Sequence, residues 1–373
     1  MANLAQCVNG LHFRNPVLPA AGPNVHTGEQ MLAAAEGGAG GIVAKTVSVR
    51  AASDPRPSIR RTGLGLLNCE TWAEVSPREM FPELKKAKEA GLPLIVSVGY
   101  SPEEVAFLGE LLEREVAPDA VEFSIHYVGK ELDPLLDVAK ALRRSTKIPI
   151  WMKLSPSVPD LEALAKAASP VVDAFVAINS LGPALDMDVE SVSPLLGSSY
   201  GQGWLSGPPI LPLALHFVYR LTTVQDKPVI GVGGIERGVD AVKFFLAGAS
   251  LVQVCSAAIR QGHGVYGKIA AELDTWLDAH GYASVEEIRG LYGRRLKERN
   301  RIEGVPVMAV DRERCVACRT CLSRCVSGAL YFDGSKAAVH AASCIGCGFC
   351  RDFCPAGALA LRDRRGDGSG AEG

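Results

Sequence analysis

Eight short apolar or β-branched runs recur along the first 300 residues, at 17–21, 41–46, 94–99, 120–124, 148–154, 174–180, 228–233 and 251–256. They lack the in–out alternation of a half-wetted sheet, so each reads as a parallel strand buried on both faces. Longer amphipathic stretches lie between most of them, at 28–36, 81–90, 102–116, 132–145, 160–168, 213–222 and 239–247. Eight such repeats predict an α/β fold, a closed (β/α)₈ TIM barrel occupying residues 1–305. An open doubly wound sheet competes, but several strand ends carry polar or glycine residues, where barrel chemistry sits. Two further helices are expected at 265–279 and 285–294, and a linker near 303–309. The basic stretch 294–301 reads as a solvated helix end.

Composition narrows the class. Among 373 residues, 39 basic side chains face 41 acidic ones, a net charge of −2. No basic excess is left to neutralise phosphates, which argues against a nucleic-acid binder. No apolar run approaches the ~20 residues needed to span a bilayer. The N-terminal stretch lacks the layout of a secretory signal, so a cytoplasmic protein is expected.

Eight of the 11 cysteines crowd between Cys315 and Cys354. A secreted disulfide scaffold would spread pairs through a small chain, whereas this crowding points to metal. Cys315, Cys318, Cys321 and Cys325 form C-x₂-C-x₂-C-x₃-C, and Cys344, Cys347, Cys350 and Cys354 repeat it, with Pro355 following. This is the run of bacterial two-cluster ferredoxins, whose fourth cysteine ligates the other cluster. Cys315, Cys318, Cys321 and Cys354 are thus expected to hold one [4Fe–4S] cluster, and Cys344, Cys347, Cys350 and Cys325 a second. Small residues such as Ala317, Gly346 and Gly348 let backbone amides approach the sulfides. Structural zinc needs neither the third cysteine at this gap nor the crossed fourth. The two-cluster 4Fe-4S domain is assigned to 306–362, and the Gly- and charge-rich 363–373 to a disordered tail. Clusters move single electrons, so the barrel needs a partner able to exchange them singly, and a flavin fits.

Flavin mononucleotide in a barrel needs a phosphate cradle near the seventh and eighth strands. Gly233 and Gly234 follow the seventh, and Cys255 and Ser256 the eighth; Ser206 and Gly207 add a third small-residue loop. Small residues expose backbone N–H groups to an anion, although a Gly-Gly alone is also a tight turn. Lys45 and Lys153 lie in apolar strands, where an unpartnered ammonium is costly. Lys153 suits the negative charge that a flavin gains around N1 and O2 on reduction, and Lys45 the ribityl chain or ring edge. A pair of structural salt bridges is the alternative for both.

These residues carry a resemblance. Ala20-Ala21-Gly22, Ala44-Lys45-Thr46, Trp151-Met152-Lys153-Leu154-Ser155-Pro156, Ala177-Ile178-Asn179-Ser180, Leu205-Ser206-Gly207-Pro208, Gly233-Gly234-Ile235 and Val252-Gln253-Val254-Cys255-Ser256 resemble the dihydroorotate dehydrogenase superfamily. The branch most similar is the pyrimidine-reducing part of dihydropyrimidine dehydrogenase, which also ends in a two-cluster ferredoxin domain. The resemblance implies FMN at the barrel mouth and electrons supplied through Fe–S clusters by a separate NAD(P)H/FAD-bearing subunit or domain, or a ferredoxin. A homo- or hetero-oligomer is compatible with it. No G-x-G-x-x-G opens a helix after a strand here, which places NAD(P)H handling elsewhere. Asn68 and Glu70 resemble the family's substrate-holding Asn-x-Glu, and Asn179 and Ser180 its Asn-Thr pair; turn chemistry is the alternative for the first two. An amide can both donate to a ring carbonyl and accept from a ring N–H.

One departure matters. After the fourth strand the family reads Asn-Leu-Ser-Cys-Pro, its cysteine serving as acid/base. This chain reads Ser124-Ile125-His126-Tyr127-Val128. Tyr127 holds the cysteine's position and is expected to be the proton donor, with His126 second because its pKa of ~6.5 is better matched. The expected activity is an oxidoreductase acting on CH–CH or C=C beside a carbonyl, of the dihydropyrimidine or dihydroorotate type. A non-pyrimidine conjugated carbonyl substrate and a non-catalytic electron-transfer subunit are the other readings.

Overall fold

The computed structural model describes residues 2–63, 65–124, 129–298 and 306–363. The chain divides into two compact units, Met1–Lys297 and Glu298–Gly373. In the first, eight parallel strands make one sheet: β1 (Val17–Pro19), β2 (Ile42–Val47), β3 (Leu94–Val98), β4 (Ala120–Ser124), β5 (Ile150–Leu154), β6 (Ala174–Ala177), β7 (Val229–Val232) and β8 (Leu251–Val254). Each pairs with its sequence neighbours from β2 to β8, and β8 pairs with β1. At the remaining seam Gly40 N–H donates to Val17 O at 2.8 Å, bringing β1 beside β2. All eight expected strands are present, in the cyclic order of a TIM-like barrel.

The helices start where the sequence supplies caps. Thr27 and Gln30 form a capping box on α1 (Gly28–Glu36), Ser76 and Glu79 on α2 (Pro77–Ala87), and Ser101 and Glu104 on α3 (Pro102–Glu115). Each satisfies backbone N–H groups that the first helical turn leaves unpaired. Then come α4 (Asp133–Ser145), α5 (Leu161–Ala168), α6 (Leu211–Val224), α7 (Gly238–Ala247), α8 (Ser256–Gln261) and α9 (Val265–Ala279). The helix expected over 285–294 is instead two, Val285–Ile288 and Leu291–Glu298. They are divided at Gly290, whose φ of +68° breaks the α-helical path.

Alternation along the strands sorts two environments. Val121 and Phe123 of β4 face the helices, while Ala120 joins an interior cluster with Leu18, Val43, Ile95, Trp151, Ile230 and Leu251. A short hairpin, Gln6–Val8 with Leu11–Phe13, adds Val8 and Phe13 to that cluster and closes the N-terminal end. Trp151 Nε1–H donates to Asn9 Oδ1 at 2.8 Å, so the buried indole keeps its hydrogen bond. Towards the C-terminal ends of the strands the interior turns polar, with Lys45, Ser97, Glu122, Lys153 and Gln253 all buried.

The long stretches after β2 and β6 carry no strand periodicity in the sequence. They build a four-stranded antiparallel sheet, ordered Leu181–Ala184, Gly203–Ser206, Gly65–Asn68 and Ile59–Thr62. No helix among the described residues is long and apolar enough to cross a membrane.

The second unit contains two antiparallel pairs, Pro306–Val310 with Leu359–Asp363 and Leu330–Phe332 with Ala337–Val339. The linker expected over 303–309 is therefore strand from Pro306 onward, because Val307 and Met308 bury their side chains. Asp363, expected to open the tail, still pairs with Pro306. Residues 299–305 and 364–373 lie outside the described residues.

Candidate active site

The C-terminal ends of the strands open into a cavity that is continuous with solvent. Its wall contains Ala20, Ala21, Gly22, Lys45, Thr46, Asn68, Glu70, Ser124, Lys153, Asn179, Ser180, Ser206, Gly207, Gly233, Gly234, Cys255 and Ser256. Every barrel residue singled out in the sequence thus meets at one mouth, except Tyr127 and His126, which lie outside the described residues.

On one side of the mouth three small-residue loops converge. Gly207, Gly233 and Gly234 have φ of +89°, +126° and +79°, a region that favours glycine. A Cβ on Gly234 would lie 2.9 Å from Gly207 O and 2.8 Å from Leu211 Cβ, so the loops approach backbone to backbone. Ser256 Oγ donates to Ser206 Oγ at 2.9 Å and ties the loop after β8 to the rest. Gly22 is as constrained, since a Cβ there would stand 2.4 Å from Cys255 Sγ. Burial pushes the Cys255 thiol up, so it stays protonated.

The lysines have partners. Lys45 Nζ lies 2.9 Å from Glu70 Oε2, and Ser58 Oγ donates to Glu70 Oε1 at 3.2 Å. Glu70, expected from the resemblance to help hold substrate, has both oxygens engaged within the protein. Lys153 Nζ lies 3.3 Å from Glu122 Oε1 and 3.5 Å from Gln253 Oε1, and Gln253 Nε2–H donates to Glu122 Oε2 at 2.7 Å. Both lysines therefore make salt bridges and also line the cavity.

The amides are held too. Asn68 Nδ2–H donates to Trp204 O at 3.1 Å, and Asn179 Nδ2–H to Ser124 Oγ at 2.8 Å, while Asn179 Oδ1 accepts from Ser180 N–H at 2.9 Å. Sequence reasoning missed Tyr100, which lines the same wall and packs edge-on to Trp72 at 4.8 Å. Burial, with Asp54 adding to it, pushes its hydroxyl up to about 12. It missed Glu122 and Gln253 as well. A glutamate between Val121 and Phe123 in an apolar strand was the available signal.

In the second unit Cys315, Cys318, Cys321 and Cys354 line one small pocket. Cys325, Cys344, Cys347 and Cys350 line another. The fourth cysteine of each run stands with the other run's first three, as expected. Backbone amides point at the sulfurs: Met308 N–H at Cys344 (3.4 Å), Ala329 N–H at Cys325 (3.1 Å) and Ala358 N–H at Cys354 (3.2 Å). Such donors stabilise thiolate charge.

A barrel whose mouth has a glycine-built cradle and paired lysines, in one chain with a crossed cysteine unit, is the architecture of a flavin and iron–sulfur oxidoreductase. The "Dihydroorotate dehydrogenase" family pattern matches residues 119–277, and the "4Fe-4S binding domain" pattern matches 337–360. A protein of Thermococcus kodakarensis, named dihydroorotate dehydrogenase B (NAD(+)), catalytic subunit, is 37% identical over 307 residues, 78% of this chain and 98% of that protein. Proteins of the same name from Pyrococcus furiosus and Thermoplasma volcanium are 36% and 32% identical, covering 76% and 78% of this chain and 96% and 99% of theirs. The chain belongs to the dihydroorotate dehydrogenase family, oxidoreductases that act on CH–CH groups with FMN. The cradle fits that cofactor, since three loops without side-chain bulk meet where an anion needs amide donors. The match to the Thermococcus protein leaves more than a fifth of this chain uncovered while taking in almost all of the relative.

Proposed function

We propose that this chain is an FMN- and iron–sulfur-dependent oxidoreductase of the dihydropyrimidine dehydrogenase type, reducing a pyrimidine C=C beside a carbonyl or running the dihydroorotate-type oxidation. Two [4Fe–4S] clusters would carry electrons one at a time from an NAD(P)H/FAD-bearing partner or a ferredoxin. The observation that carries the reading is the single mouth shared by the cradle, both lysines and the amides of Asn68 and Asn179. The paired cavities formed by crossed cysteines support two clusters over one.

Bound FMN supplies hydride transfer at N5. The loops at Gly207, Gly233–Gly234 and Cys255–Ser256 would hold its phosphate, and Lys153 the ring edge that gains negative charge. Asn68 and Asn179 orient the substrate's carbonyl and N–H groups, with Ser124 fixing the Asn179 amide. Tyr127 is the proposed proton donor to carbon, and His126 the second candidate.

Each lysine among the described lining residues faces a carboxylate, Lys45 with Glu70 and Lys153 with Glu122.

The test is anaerobic mixing of the reduced holoenzyme with uracil, thymine, orotate and an unrelated enone. Uracil, thymine or orotate should return the oxidised flavin spectrum. If only the enone does so, the pyrimidine reading is wrong. Tyr127→Phe should slow that phase about 100-fold or more, the usual contribution of a general acid. If neither it nor His126→Ala slows turnover, the proton donor lies elsewhere.

A further inference from the structure

The barrel interior holds a carboxylate for which the reaction as described has no use. Glu122 is 0% exposed, on a strand whose other residues are Ala120, Val121, Phe123 and Ser124. A lone carboxylate there would be very costly, so its partners define its role. Its Oε1 faces Lys153 Nζ, its Oε2 accepts from Gln253, and the Gln253 carbonyl faces the same ammonium. The three side chains from β4, β5 and β8 close a triangle beneath the cavity. Of the three N–H groups of the Lys153 ammonium, two have partners in this triangle, which leaves one for the cavity that Lys153 lines.

Lys153 is 7% exposed. Among the other groups at this mouth, Glu70 is bonded to Lys45, the Cys255 thiol and Tyr100 hydroxyl are pushed up and stay neutral, and Ser124, Asn179 and Gln253 do not titrate. Glu122 is thus the carboxylate within bonding distance of Lys153 among the described residues.

We propose that Glu122 is a positioning residue: its carboxylate keeps Lys153 an oriented ammonium at the cavity floor and so sets how strongly the site favours negative charge on a reduced flavin. This rests on the barrel mouth being the FMN site.

The test uses the anaerobic holoenzyme and follows the midpoint potential of bound FMN against a reference dye from about pH 6.5 to about pH 9. Glu122→Gln keeps the shape and removes the charge. With its counter-charge gone, Lys153 should give up its proton more readily as pH rises, so the cation that favours the reduced form is lost and the potential falls more steeply than in the wild type. The expected extra fall is at least a tenfold loss of preference for the reduced form, about 30 mV for a two-electron couple. Glu122→Asp retains the charge and should follow the wild-type slope. Parallel lines for wild type and Glu122→Gln overturn the inference even if melting temperature or FMN retention drops, because a packing role moves those and leaves the slope alone. Should Glu122→Gln not fold, Gln253→Leu frees the carboxylate from its tether and should steepen the slope in the same sense; an unchanged slope there overturns the inference equally. A wild-type protein that binds no FMN overturns the proposed function and this inference together, whereas unchanged slopes in a flavin-loaded protein sink only the latter.

Discussion

The barrel and the cysteine unit are stabilised in opposite ways. The barrel buries aliphatic and aromatic side chains from all eight strands and the surrounding helices in large continuous clusters. Among the described residues the cysteine unit has a core cluster of eight buried residues, three of them Cys315, Cys321 and Cys350. Among the described residues its strands come in pairs, and a two-stranded ribbon is marginal alone in water. A unit this small seldom stands on apolar burial by itself. The contrast teaches that the first unit can hold its fold through packing, while the second depends on what its thiolates grip.

The sharpest way to break that contrast is to strip the iron with a chelator under reducing conditions. Limited proteolysis should then cut freely within 306–363, while the barrel keeps its cooperative unfolding transition. Persistent protection of 306–363 without iron would end the comparison. The next effect is local. A Cβ on Gly346 would sit 2.2 Å from Pro306 O, a backbone atom in a strand that cannot easily move. Gly346→Ala should cost about 3 kcal/mol or more and release about half the iron, read by metal analysis. On the barrel side, Trp151→Ala should lower barrel stability by about 3–5 kcal/mol in urea unfolding yet leave the iron content unchanged. Gly234→Ala should loosen FMN more than it lowers stability, by about tenfold in dissociation constant, because its Cβ intrudes between the cradle loops. Smallest is Ala317→Gly. Ala317 and Arg319 hold φ of +57° and +60°, where the matching residues of the second run are Gly346 and Gly348. Relieving one strained alanine should stabilise the unit by under about 1 kcal/mol, measured as a higher melting temperature of the loaded protein.

The same contrast explains what could be read in advance. The eight barrel strands were legible because burial on both faces writes a continuous apolar run. The cysteine sets were legible because cluster geometry dictates spacing. The four-stranded sheet over the mouth was not. Gly203–Ser206 pairs with Gly65–Asn68 across some 140 positions, and neither segment bears a pattern that names its mate. Strand Pro306–Val310 escaped for a similar reason, since its partner lies at the far end of the unit and a proline opens it. Lys45 and Lys153 stood out as charges in apolar strands. The same rule applied to Glu122 would have found the partner of Lys153, and barrel order, which sets β4 beside β5, would have joined them. Glu70 carried no such mark, and its bond to Lys45 needed three dimensions.

The N-terminal hairpin has one more effect. Val8, Phe13 and Trp151 stopper the base, so among the described residues the vessel opens at the opposite end. A molecule transformed there would leave by the end at which it arrived, and its successor would wait on that departure.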